Sequence, residues 1–198
     1  MKRHRASRTT FFAAVSLLFA VAVAVAQGAG RFRLPEWPEQ APKPDFHLVD
    51  VNHARRSLTD YHGRVSIVFF GFTHCPDVCP NELFKLSLVV KRLGPLAARV
   101  QVLFVSLDPE RDTPELLKAY VAAFDPRFVA LTGSTADINE AASSFSVQFA
   151  KVIQGEDYTI NHSTGTYVVD KTGRLRLVAT MQTSVDDLVH DLKVLATE

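Results

Sequence analysis

Cysteine is almost missing from this chain: its 198 residues hold two, Cys75 and Cys79. A scaffold built on several disulfides is excluded on that count. Methionine is as scarce, with Met181 alone after Met1, which excludes a methionine-rich soft-metal site. Neither sign of charge dominates, with 22 Lys and Arg against 21 Asp and Glu. Lys2, Arg3, Arg5 and Arg8 lie in the first 26 residues, which contain no acid. Without those four, 18 bases face 21 acids, and residues 27–198 carry a formal −3. Such a body lacks the clustered cations that neutralise phosphates, which argues against a nucleic-acid partner. Internal repeats are absent too. At about 100–200 residues per domain the length allows one domain and at most two. With 47% hydrophobic and 22% charged residues, the composition is globular.

What is present begins with an address. Met1–Thr10 is basic, Phe11–Ala26 is apolar except for Ser16, and Ala24-Val25-Ala26 supplies a small-x-small cleavage pattern. That is the layout of a secretory signal. The competing reading is a retained membrane anchor, since the apolar stretch is near the lower limit of about 17 residues for spanning. Either way the basic end stays cytoplasmic and the rest is exported, to the bacterial periplasm or the inner-membrane face that borders it. Residues 27–44 follow, with four prolines between Arg31 and Pro44. Proline at this density fixes φ and removes donors, which predicts an extended linker.

Residues 45–198 read as one α/β domain. Phe46–Val51 and Ser57–Leu58 are short strand-like pieces. Val65–Phe70 (VSIVFF) and Val100–Leu107 (VQVLFVSL) are runs rich in β-branched and aromatic residues, as expected of strands buried on both faces. Between them Leu83, Leu86, Val90 and Leu93 recur at helical steps until Gly94-Pro95. Thr113-Pro114 opens a second helix. Phe128–Leu131 is a short strand, and Ser134 with Asp137 caps a third helix. Val147–Ile153 and Thr166–Asp170 read as strands, and the latter turns through Lys171-Thr172-Gly173 into Leu175–Thr180. Ser184 caps the last helix. Strand–helix alternation predicts parallel crossovers, and the late hairpin predicts an antiparallel edge. The order matches a thioredoxin-like fold with a mixed central sheet, flanking helices and an insertion around residues 126–153.

The chemistry sits between a strand and a helix. Gly71-Phe72-Thr73-His74-Cys75-Pro76-Asp77-Val78-Cys79-Pro80 joins the first buried strand to its helix. If Cys75–Cys79 forms the first helical turn, the i,i+4 spacing puts both sulfurs on one face. The pair can then chelate one soft ion or close a disulfide. A helix N-terminus favours thiolate over thiol, and thiolates favour Cu(I), with Zn(II) the main competitor. A purely structural disulfide is the plain alternative, but so short a loop closes little chain entropy.

A metal reading needs a third ligand. His162, read as lying in a loop over Asp157–Tyr167, is the candidate, because in a thioredoxin-like sheet the loop before the penultimate strand faces the active helix. His74 is set aside because neighbouring positions point apart. Asp108, in Val105–Pro114, falls at the end of the second buried strand, the edge where ligands collect in α/β sheets. It is expected to tune the site electrostatically or to contact a partner, whereas Asp112 reads as turn chemistry.

Three motifs in this order resemble the SCO/SenC family: Phe69–Pro80, Asp108–Pro114 and Asn161-His162-Ser163. The resemblance covers residues 45–195. It implies a thioredoxin-like fold, one copper held by Cys75, Cys79 and His162, and delivery to the dinuclear copper centre of cytochrome c oxidase subunit II. Asn161 stands where the family usually has Asp, which removes a carboxylate but keeps the imidazole. Asn52-His53 stands where Gly is often found.

Three activities remain open on these residues. One is a copper metallochaperone. A second is a thiol–disulfide oxidoreductase, with Cys75 and Cys79 as the redox dithiol and Cys75 attacking. The third is a copper or redox sensor. Ordinary thioredoxins have a C-x-x-C pair faced by a proline; here three residues separate the cysteines and no proline follows Pro126.

Overall fold

A computed structural model describes residues 31–198. The expected signal or anchor, residues 1–26, lies outside the described residues. Among those described, no helix is long and apolar enough to cross a membrane.

A mixed seven-stranded sheet carries the fold. Its strands are β1 (His47–Asp50), β2 (Arg55–Ser57), β3 (Val65–Gly71), β4 (Val100–Ser106), β5 (Val129–Thr132), β8 (Thr166–Val169) and β9 (Leu175–Ala179). The spatial order is β2-β1-β5-β4-β3-β8-β9. β3 and β4 run parallel in register from Val65↔Val100 to Gly71↔Ser106, and every residue of both is buried. Burial on both faces is why these two segments are almost wholly apolar, with Ser66, Gln101 and Ser106 the polar exceptions. β8 lies antiparallel to β3, and β9 antiparallel to β8. This is the thioredoxin-like arrangement that the strand–helix alternation predicted.

Helices cover both faces. Cys79, Leu83, Leu86, Val90 and Leu93 line the buried stripe of α1 (Val78–Leu93), which packs along α4 (Val185–Thr197). α2 (Pro114–Ala122) lies on the same face, where Tyr120 stacks on Phe104 of β4 with ring centroids 5.6 Å apart. The opposite face holds Phe70 of β3 against Phe145, the residue that ends α3 (Thr135–Ser144), at 5.4 Å. The predicted caps form: Thr113, Ser134 and Ser184 each accept a backbone N–H three residues on.

Two expectations need correction. Residues 31–44 are not a free linker. Phe32 and Leu34 are buried, the amides of Arg33 and Leu34 donate to the Asp191 carboxylate, and Glu36 bridges Leu177 at the β9 edge. Apolar Phe32 and Leu34 alternate with Arg31 and Arg33, so one side of an extended strap buries itself. Pro35 is tolerated because its carbonyl, accepting from Val178, is all the edge requires. The packed domain therefore includes residues before 45, and the strap covers a sheet edge that would otherwise be open.

The inserted segment also runs further than residue 153. It comprises β5, α3 and a separate two-stranded hairpin, β6 (Phe149–Gln154) with β7 (Asp157–His162), turned by Gly155 at φ +65°. What was read as a loop at 157–162 is a strand, because Ile160 buries one face while its neighbours are exposed or half-buried.

Candidate metal centre

β3 ends at Gly71, and the reason for glycine is contact. A Cβ there would lie 2.8 Å from the Cys79 sulfur and 2.9 Å from Cε2 of Phe104. The chain then turns, the Cys75 amide donating to the Phe72 carbonyl at 3.3 Å, and α1 starts at Val78. Cys75 thus precedes the helix instead of opening it, while Cys79 sits in the first turn. Both are free thiols, Cys75 half-buried and Cys79 fully buried. The Cys79 amide, one of the unpaired donors at the helix start, donates to the Cys75 sulfur at 3.4 Å.

That arrangement splits the proton affinities of the pair. Hydrogen bonding from the Cys79 side chain, helped by the amides of Cys79, Asp77 and Val78 and opposed by burial, lowers the Cys75 pKa to about 5. The same contact from the other side, together with burial, pushes Cys79 far above an ordinary thiol. One proton is shared: Cys75 is the thiolate at neutral pH and Cys79 the donor.

Asp112 secures the cysteine turn. Its buried carboxylate accepts from the Thr73 amide at 3.1 Å, the Thr73 hydroxyl at 2.6 Å and the Ser106 hydroxyl at 2.7 Å. It therefore does more than the turn chemistry expected of it. His74 Nδ1 lies 3.8 Å from the same carboxylate, and its ring is half-exposed. His74, Asp108 and Asp112 converge to within 4.8 Å of one another. Both carboxylates are already occupied by protein donors.

Asp108 reaches neither sulfur in a recorded contact and instead clamps the hairpin. Its carboxylate accepts from Arg111 Nε at 2.6 Å and from the Tyr158 hydroxyl at 2.7 Å. Arg111 in turn bonds Asp157 and the Tyr158 carbonyl, and its guanidinium lies 3.7 Å above the Tyr158 ring. Lys151 of β6 pairs with Glu110 at 2.7 Å. The motif after β4 thus fixes the hairpin that bears the histidine. Arg111 and Tyr158 escaped sequence reasoning because their partners lie 46–50 positions apart in the chain.

His162 ends β7, opposite Phe149. Its Nδ1 lies 2.8 Å from the Ser163 carbonyl. A carbonyl only accepts, so Nδ1 carries a proton, which leaves Nε2 as the ring atom that can offer a lone pair to a ligand. The ring meets Phe72 edge-on, centroids 6.1 Å apart, and Phe72 belongs to the cysteine turn. The imidazole and the two sulfurs do not all fall within 4.8 Å of one another. Phe72, which seats the imidazole beside the turn, had no sequence signal beyond its place in the motif. A cleft of 530 Å³ lined by Asp50, Arg56, Tyr61, Arg64, Gln101 and Phe128 contains none of these residues.

A thioredoxin-like sheet whose central parallel strand delivers a thiolate and a buried thiol to a helix start defines a dithiol protein of that fold, here with a histidine hairpin packed beside it. The comparisons make the class narrower. A family model described as SCO1/SenC matches residues 36–197, and the chain belongs to that family. A SCO2-like protein of Rickettsia prowazekii is 38% identical over 149 residues, 74% of this chain and 72% of the relative. Bradyrhizobium japonicum ScoI, solved with copper bound, superposes at a TM-score of 0.73 with 36% identity, covering 78% of this chain and 99% of that one. BsSco, described as a member of the Sco family of cytochrome c oxidase assembly proteins with a disulfide switch, superposes at 0.64 with 26% identity, covering 82% and 98%.

Proposed function

We propose that the chain is a copper metallochaperone of cytochrome c oxidase assembly, working on the exported side of a membrane to which residues 1–26 direct or anchor it. Cys75, Cys79 and His162 hold one Cu(I) per chain, and the acceptor is the dinuclear copper centre of oxidase subunit II. The observation that carries this reading is the pairing of an amide-stabilised Cys75 thiolate and buried Cys79 with an imidazole whose Nε2 can offer a lone pair. Copper is the cargo. Two soft thiolates supply affinity for the monovalent ion, and the imidazole closes a three-point site once the hairpin moves over the turn.

The residues divide the work. Asp112 keeps the cysteine turn in shape, and Asp108 with Arg111 and Tyr158 holds the hairpin within reach. His162, on an element that is not part of the main sheet, is the ligand most easily withdrawn. Release then proceeds by ligand exchange, acceptor thiolates replacing the protein's ligands one at a time. Metal analysis of the reduced protein tests this: one copper per chain, lost in Cys75→Ala and in Cys79→Ala. His162→Ala should lose stable copper but keep dithiol exchange. Tight Cu(I) retention in His162→Ala would remove the imidazole from the copper site, and loss of transfer with dithiol exchange intact in a copper-loaded protein would remove the chaperone assignment.

A second reading, reduction of the acceptor's cysteines, is favoured by the split proton affinities. The Cys75 thiolate would attack one sulfur of the acceptor's disulfide, expelling the other as thiolate. Cys79, losing its proton, would then attack the Cys75 sulfur of the mixed disulfide, leaving Cys75–Cys79 oxidised and the acceptor as a dithiol. His162→Ala separates the two, because only the metal route needs the imidazole.

A further inference from the structure

Cys79 is the harder half of the metal reading to explain. A fully buried sulfur must become a thiolate when it binds a metal. Burial without donors would make that charge costly. From the cysteine turn, the Phe72 backbone favours the charged sulfur. The other side of the pocket is formed by β4 and α2.

There the Phe104 ring lies beside the position that a Gly71 Cβ would take, and that position is itself in contact with the Cys79 sulfur. Tyr120 of α2 stacks on Phe104, centroids 5.6 Å apart, and is braced from behind by Phe124 at 5.5 Å. Its ring is therefore fixed by packing and needs no hydrogen bond to hold it. Its hydroxyl is buried and has no partner among the described residues. Leaving a buried hydroxyl unpaired is normally selected against. Besides burial, the groups whose ionised forms would oppose loss of its proton are Cys79, Cys75 and Asp112, in that order. Asp112 is already taken by Thr73 and Ser106, which leaves the sulfurs as the acceptors this hydroxyl lacks.

We infer that Tyr120 is a positioning residue for the metal-bound state: its hydroxyl, unpaired in the metal-free dithiol, donates to the Cys79 sulfur once that sulfur is a metal-bound thiolate. The bond exists in the loaded protein and not in the empty one, so it adds to metal affinity without adding to the stability of the metal-free fold. The inference rests on the proposed Cys75–Cys79 metal site.

The test compares wild type, Tyr120→Phe and Cys79→Ser as full-length reduced proteins, with two probes. Cu(I) affinity is read by competition with a chromogenic chelator. Co(II), which does not oxidise the thiols, reports through its sulfur-to-metal charge-transfer band. A hydrogen bond to a charged acceptor sets the scale, so Tyr120→Phe should bind Cu(I) about tenfold more weakly. Its Co(II) band should move to lower energy, because a thiolate without the donor gives up electron density more readily. Its metal-free melting temperature should hold or rise, since an unsatisfied hydroxyl has been removed. A charge-transfer band at the wild-type energy overturns the inference, whatever the affinity does; accompanied by a fall in metal-free melting temperature, it makes Tyr120 a packing residue only. A wild-type protein that takes up Co(II) with no sulfur band, and looks the same as Cys79→Ser, defeats the metal site itself and this inference with it.

Discussion

Replacing Gly71 with alanine adds one methyl group at the tightest point of the site. Gly71 has an ordinary extended backbone at the end of β3, so alanine costs nothing in φ. Removing a glycine even stabilises by about 0.4–1 kcal/mol through the unfolded chain. The penalty is steric. The new Cβ would meet the Cys79 sulfur at 2.8 Å and the Phe104 ring at 2.9 Å. Comfortable contact between carbon atoms is about 3.5–4.0 Å, so both neighbours must retreat by several tenths of an ångström. Neither can do so freely, because Cys79 and Phe104 are both fully buried. Overpacking of this kind costs about 1–3 kcal/mol, leaving a net loss centred on about 1.3 kcal/mol after the glycine term. With a urea dependence of about 2 kcal/mol per molar, the unfolding midpoint should fall by roughly 0.6 M. Cu(I) affinity should fall as well, since the displaced atom is a proposed ligand. Gly63→Ala is the control: that glycine has φ +83° and open space around it, so it strains backbone alone and should leave copper binding intact. A Gly71→Ala protein with the wild-type urea midpoint and wild-type copper affinity would refute the close-approach argument.

The remaining predictions concern the turn and the hairpin. Alkylation of Cys75 by iodoacetamide in the reduced, metal-free protein should be half-maximal near pH 5 and flat through neutrality, with Cys79 unreactive. Cys79→Ala removes the leading cause of the lowered value and should move the profile to higher pH; a midpoint that stays put would show that the helix amides act alone. Because the folded value lies below the ordinary thiol value of 9.0, the unfolded state holds this proton more tightly between the two. Cys75 therefore contributes stability that is complete above pH 9, declines as the pH falls, and is gone below about 5. Tyr158→Phe deletes a 2.7 Å bond to the Asp108 carboxylate, the kind of charged-acceptor bond worth about 1.5–3 kcal/mol before discounting for partial exposure. Hydrogen exchange at the Ile160–His162 amides should quicken and Cu(I) retention weaken while Cys75 reactivity is unchanged. Unaltered exchange there would mean that Arg111 alone holds the hairpin.

The relation between pattern and fold is clearest where the physics is local. The apolar runs of β3 and β4, the caps at Thr113, Ser134 and Ser184, and the cysteine spacing are each written within a few neighbouring residues. The sequence alone was therefore enough to place a dithiol between a buried strand and a helix. It also named His162, but only through the expected fold and the resemblance of three motifs, because nothing in the 82 residues between Cys79 and His162 brings an imidazole to a sulfur.

Tertiary structure decided the rest. Asp112 looked like a turn residue and proved to be the anchor of the cysteine turn, because Thr73 and Ser106 reach it only when β3 and β4 lie side by side. Asp108, read from sequence as tuning the site or contacting a partner, also holds the hairpin, because Tyr158 arrives from a separate element. Residues 31–44 looked like a spacer until Asp191 and the edge of β9 supplied partners for their amides. Local sequence determines which segments become strands, helices and turns, since those depend on near neighbours. Only closure of the chain determines which distant donor meets which acceptor, and in this protein those long-range bonds shape the site.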